Sequence, residues 1–125
     1  MARKSKDEER ERRIAMEIIV DAYDEEEQAM GWWAYLDSNL HFPFTARCIA
    51  EMEISPLQPG EEVEVVGISS EGASLENIFA LIKWQSRKLG VPLSQLEGVN
   101  VDDETRQAIE DWRYWVGQDE EEDEM

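Results

Sequence analysis

The sequence predicts an α+β fold: an N-terminal helix and a C-terminal helix packed on a small, strongly bent antiparallel β-barrel. Three observations predict it. Apolar residues recur at helical spacing before residue 40 and after residue 102, whereas between them the period falls to two. Turn residues also interrupt that middle stretch at short intervals, and closely spaced short strands suit a bent barrel. At 125 residues, 42% hydrophobic and with eleven aromatics, the chain can bury a modest core.

Residues 1–13 are mostly charged and form a charged N-terminal extension of the first helix, with Glu8–Arg12 and Glu9–Arg13 at spacings that suit a helix surface. Arg13 to Met30 continues as helix. Ile14, Ala15, Met16, Ile18, Ile19, Val20, Ala22 and Tyr23 cover a broad apolar face, leaving Glu17, Asp21, Asp24 and Gln28 as a narrow polar stripe. Gly31 is a natural stop or kink. Trp32 to Leu40 reads as a second short helix, with Trp33, Leu36 and Leu40 at spacings of three and four. Pro43 then forces extended backbone. Strands are expected over Phe44–Ala50, Glu61–Ile68, Asn77–Trp84 and Leu89–Leu93, with a single turn at Ser94–Leu96. Asp102 or Asp103 can cap a last helix whose stripe is Ala108, Ile109, Trp112, Trp115 and Val116, and Gly117 is expected to end it. The body is thus read as one domain over 14–117, and 118–125 as a disordered acidic tail.

Charge narrows the function. The net charge is −18; residues 1–13 carry six bases and four acids, which leaves −20 on the rest. Such a field disfavours nucleic acid and anionic membranes and concentrates cations and basic partners. No apolar run approaches a membrane span, and the N-terminus lacks a signal-peptide core. The lone Cys48 excludes an intrachain disulfide and a Cys-based metal site, so a cytoplasmic setting is expected. There is no Gly-rich phosphate loop and no Ser-His-Asp arrangement at a plausible spacing. His41 reads as a packed or surface residue and Cys48 as a buried small hydrophobe, and an enzyme is not expected.

Metal binding fits better. If the first helix ends at Gly31, Asp24, Glu25, Glu26 and Glu27 crowd its C-terminal turns, where each carboxylate costs about 0.3–1 kcal/mol against the helix dipole. A bound cation would remove that conflict, and oxygen-only side chains favour a hard one such as Ca²⁺. The EF-hand fails: a loop beginning at Asp37 places Phe42 where Gly is needed and Cys48 where a bidentate Glu is needed. A loop beginning at Asp24 places Ala29 at the glycine position. Any site must instead be assembled from the helix end and the segment around Asp37.

The segments VDAYDEEEQAMGWWAYLDSNLHFPFTARC, GEEVEVVGIS, PLSQLEG and ETRQAIEDWRYWV resemble the non-EF-hand calcium-binding family typified by the cyanobacterial heterocyst calcium-binding protein. The likeness covers about residues 14–116. It implies a cytoplasmic protein that binds Ca²⁺ through surface carboxylates, with helices on an Sm-like or SH3-like barrel, and the function expected is to sequester or sense that Ca²⁺. Within the matching motif, Asp21, Asp24, Glu25, Glu27 and Asp37 are the candidate ligands, and the resemblance leaves open which of Glu25, Glu26 and Glu27 ligate. Exposed carboxylates place the expected Kd on the order of 10⁻⁷–10⁻⁵ M. The alternative is an acidic protein-interaction module without a specific metal, in which Trp32 and Trp112 would be partly exposed anchors.

Overall fold

The computed structural model describes residues 8–123, with side chains through residue 117. Residues 1–7 of the charged extension and 124–125 of the acidic tail lie outside the described residues. The chain runs α1 (Glu8–Arg13), a π-helical turn (Ile14–Ile18), α2 (Glu25–Asn39), β1 (Phe44–Cys48), β2 (Glu62–Ile68), β3 (Phe79–Trp84), β4 (Arg87–Pro92), a 3₁₀ turn (Leu93–Gln95), β5 (Leu96–Val99) and α3 (Asp103–Asp123).

The first helical stretch departs from its expected form. Instead of one helix to Met30 broken at Gly31, the chain leaves helical geometry at Ile19 and re-enters it at Glu25. The apolar face predicted for 14–23 is correspondingly divided: Ile14 and Ile18 are buried, while Met16, Val20 and Tyr23 are exposed. Gly31 lies inside α2 rather than at a stop, and its role is steric. A Cβ there would stand 2.4 Å from the Ile18 carbonyl oxygen. Glycine lets the end of the π turn press against α2.

The five strands form one antiparallel sheet in the order β4-β3-β2-β1-β5. β5 is a strand that the sequence reading did not anticipate. Gln85 and Ser86, both at positive φ, make the tight β3–β4 hairpin. The sheet is open, not the closed barrel expected: among the described residues no ladder joins β4 to β5. It is nonetheless curved. Four interstrand spacings separate β4 from β5, about 19 Å if flat, yet a three-residue 3₁₀ turn links them. That turn also accounts for the missing ladder. Its Leu93 N–H donates to the Ile78 carbonyl and its Gln95 carbonyl accepts from Ile49 N–H, so the turn itself spans the gap.

Both long helices pack on the core. Trp32 and Leu36 of α2 and its C-cap Leu40 meet Ala108, Ile109 and Trp112 of α3 over Ala46, Val65, Ala80 and Ile82 of the sheet. α3 continues to Asp123, through Gly117 rather than ending there. Gly117 is not among the positive-φ glycines, so it is an ordinary helical position costing about 1 kcal/mol relative to Ala, not a C-cap.

Candidate functional site

The acidic stretch is a helix start. Asp24 occupies the N-cap of α2, and its Oδ1 accepts the Glu27 N–H at 2.8 Å. Glu27 reaches back, its Oε1 accepting the Tyr23 N–H at 2.6 Å. This is close to a capping box, and Asp-x-x-Glu before an apolar run is its sequence signature. The signal was present at 24–27 and outranked the glycine at 31. It also reverses the electrostatics. Glu25, Glu26 and Glu27 fill the first turn, where the dipole stabilises carboxylates.

The same turn nevertheless gathers acid around an opening. Asp21, Asp24, Glu26 and Glu27 line an open hollow of about 460 Å³ together with Ile18, Val20, Ala22, Met30 and Gly31. Asp21 holds a positive φ of 65°, which turns the chain sharply between the π turn and α2. Glu25 belongs to the same turn and is exposed, but does not line the hollow. Asp37 is elsewhere. Thirteen residues after Asp24 on the same helix, it stands about 20 Å away at 1.5 Å per residue, too far to share an ion with Asp24.

Asp37 therefore inherits the dipole conflict that the sequence reading assigned to residues 24–27. It lies in the last turn of α2, a turn without a basic residue, and α2 ends at Asn39 with Leu40 as its C-cap. Among the described residues, no three His, Cys, Asp or Glu side chains stand close enough to hold a metal as they are arranged. The donors at 21–27 fit a hard cation in type, all oxygen and all solvent-facing. They are gathered but not yet converged.

Other acids have partners. Asp111 is fully buried and accepts from Arg10 Nε (2.7 Å), Arg13 Nη2 (2.8 Å) and Nε (3.2 Å), and the Tyr35 hydroxyl (2.7 Å). Hydrogen bonding to Asp111 holds the Arg13 guanidinium well above its ordinary pKa. Burial first, and donation to Asp111 second, push the Tyr35 hydroxyl up to about 12. His41 bridges Asp102 (2.5 Å from Nδ1) and Glu104 (2.9 Å from Nε2). Asp102 also caps α3 by accepting the Thr105 N–H at 2.7 Å. That bond and the His41 contact lower its pKa to about 2, while Asp102 raises that of His41. Arg47 pairs with Glu62 and Glu97, and Lys83 with Glu64.

The tryptophan anchors of the interaction reading are not at the surface. Trp32 and Trp112 are fully buried, edge-to-face at 5.1 Å between centroids. Trp115 lies 5.6 Å from Trp32 in the same cluster. The stripe of Trp at helical spacing built the α2–α3 contact instead.

With this geometry in place, comparison with known proteins is informative. A family model described as calcium binding, of the CcbP type, matches residues 12–116. The crystal structure of Anabaena CcbP is 39% identical, with a TM-score of 0.78 over 93% of this chain and 95% of that one. A calcium-binding protein solved in its calcium-binding form is 37% identical, with a TM-score of 0.80 over 95% and 98%. No curated protein matches the chain.

Proposed function

The chain belongs to the CcbP calcium-binding family, and on that premise we propose that it sequesters Ca²⁺ at the two ends of α2. One pole is the hollow lined by Asp21, Asp24, Glu26 and Glu27, with Glu25 adding charge from the same turn. The other is Asp37 with the last carbonyls of the helix. The observation that carries this reading is the gathering of four carboxylates around one opening. Capping engages one oxygen each of Asp24 and Glu27, and a carboxylate carries about four lone-pair sites, so ligating capacity remains.

The helix dipole opposes a cation at the first pole, and its magnitude decides little. For a divalent ion it costs about 0.6–2 kcal/mol, twice the unit-charge value. A unit pair at 4 Å gains about 1 kcal/mol in water, so a divalent ion gains about twice that per carboxylate. Two acids already outweigh the dipole. At the second pole the dipole favours the ion, but a single carboxylate contributes. The hollow is therefore the tighter site. Ligands on exposed side chains and an irregular turn can rotate onto an ion without unfolding anything, which suits a buffer of moderate affinity. One cysteine, buried and unpaired, is consistent with a reducing cytoplasm.

Calorimetric Ca²⁺ titration of chelator-treated protein in millimolar Mg²⁺ tests the reading. Wild type should give a saturable micromolar event and a weaker one. Asp21→Asn/Glu26→Gln should remove the first, and Asp37→Ala the second. Weak heats, equal in all three proteins and suppressed by Mg²⁺, would mean diffuse counterion attraction and would contradict the proposal.

A further inference from the structure

The hollow at the start of α2 is lined with more than acid. Val20 and Met30 line it and are 48% and 56% exposed. Tyr23, between the lining residues Ala22 and Asp24, is 87% exposed, and Met16 on the π turn is 65% exposed. Large apolar side chains left this open, in a chain that buries Trp32 and Trp112 completely, mark a contact surface rather than a core defect. Their types are informative. Methionine adapts to irregular apolar partners, and tyrosine is enriched among the residues that dominate binding energies.

The residues around these four set the partner's charge. Asp21, Asp24, Glu26 and Glu27 line the hollow and no base does, within a chain of net charge −18. An acidic peptide or a nucleic acid would be repelled. We infer that this face docks a basic amphipathic helix of a partner protein, its apolar stripe on Val20, Met30 and Tyr23 and its lysines or arginines on the flanking carboxylates. Exposed apolar side chains among carboxylates are the complement of such a helix, which lays one face into a groove through anchors one turn apart. The inference stands on the exposed apolar residues and does not need the calcium reading. Where both hold, the shared carboxylates link them: Ca²⁺ weakens the peptide by the same factor that the peptide weakens Ca²⁺.

The probe is a fluorescein-labelled Leu/Lys amphipathic peptide of about five helical turns, with a Leu/Glu peptide of the same pattern beside it. Binding is read by anisotropy on the full chain in chelator at about 150 mM salt, where exposed charges separated beyond roughly 8 Å are screened. Tyr23→Ser/Met30→Ser should weaken the Leu/Lys peptide by about tenfold or more, the effect of losing anchor residues. Ile54→Ser, an exposed apolar residue of the β1–β2 connection, should leave it within a factor of two, and the Leu/Glu peptide should not bind. All three substituted positions are solvent-facing, and circular dichroism confirms the fold of each variant. Equal affinity in wild type and both variants would reduce the interaction to net charge and overturn the inference, as would equal losses in the two variants or no binding to wild type.

Discussion

Asp111 and Asp21 are the same side chain in opposite circumstances. Asp111 has no exposed surface, and its oxygens are taken by two arginines and a tyrosine hydroxyl drawn from α1 and α2. Asp21 faces water on a turn, beside three further acids around an opening. The difference separates carboxylates that build the fold from those free to hold an ion. Neutralising an acid of the first kind should damage stability and spare binding. Neutralising one of the second kind should do the reverse.

The largest effect expected on this division is at Asp111. Asp111→Asn removes the charge that compensates Arg10 and Arg13. Breaking a buried pair costs 3–5 kcal/mol. Both arginine side chains keep about a fifth of their surface in water, 22% and 21%, which places the loss near 3 kcal/mol, read as a fall in the urea midpoint. Ca²⁺ affinity should be unchanged within twofold. A variant as stable as wild type would dissolve the distinction.

Gly31→Ala comes next and has a diagnostic sign. In an ordinary helix interior this change gains about 0.5–1 kcal/mol. Here the new Cβ would meet the Ile18 carbonyl at 2.4 Å, so a loss of about 1–3 kcal/mol is expected from overpacking. Because the backbone that must yield leads into Asp21, Ca²⁺ binding should weaken as well. Stabilisation would show that the π turn does not press on α2.

Asp24 lies on both sides of the comparison, and two substitutions divide its roles. Asp24→Ala should lower stability by about 1 kcal/mol through loss of the cap, whereas Asp24→Asn should hold it within a few tenths. Both remove a charge from the hollow, so both should weaken Ca²⁺ to a similar extent. If Asp24→Asn binds Ca²⁺ as wild type does, Asp24 is a cap alone.

The smallest effect is expected at His41. Its folded pKa is raised above the ordinary 6.5 by its bond to Asp102, with Glu104 contributing. The stabilisation is therefore complete below about pH 6.5 and is lost as pH rises through the folded value. The difference in urea midpoint between wild type and His41→Ala, followed from pH 5 to 9, should shrink toward the alkaline end. A difference that grows with pH would assign the contact to a neutral imidazole.

Much of this was legible in the sequence, and the failures share a cause. The period of two located β1 and β2, and the cap of α3, expected at Asp102 or Asp103, is Asp102. β5 was missed because Leu96–Val99 is too short, with Gly98 inside it, to alternate recognisably. The barrel was expected from the family resemblance and from strand spacing, and spacing carries no information on which edges pair. At 14–31, periodicity ran unbroken through a segment that the structure interrupts, because the apolar residues there divide between core and open surface. Gly31 drew attention as a stop, although its purpose is a backbone approach that no linear pattern encodes. Reading Asp24–Glu27 as a capping box would have moved the acids to the favourable end of the helix and left Asp37 as the one in conflict. The candidate ligands were found by residue type, and their division between two ends of α2 was not.

The most direct test of the account is a ¹H–¹⁵N correlation spectrum recorded through a Ca²⁺ titration in millimolar Mg²⁺. Saturable shifts confined first to the amides of residues 19–28, and later to those around Asp37–His41, are the predicted result. Small shifts that grow linearly at every acidic residue, Glu61–Glu64 and Asp103–Glu104 included, would contradict it. Ca²⁺ would then be held by the protein's charge as a whole, and not by the two ends of one helix.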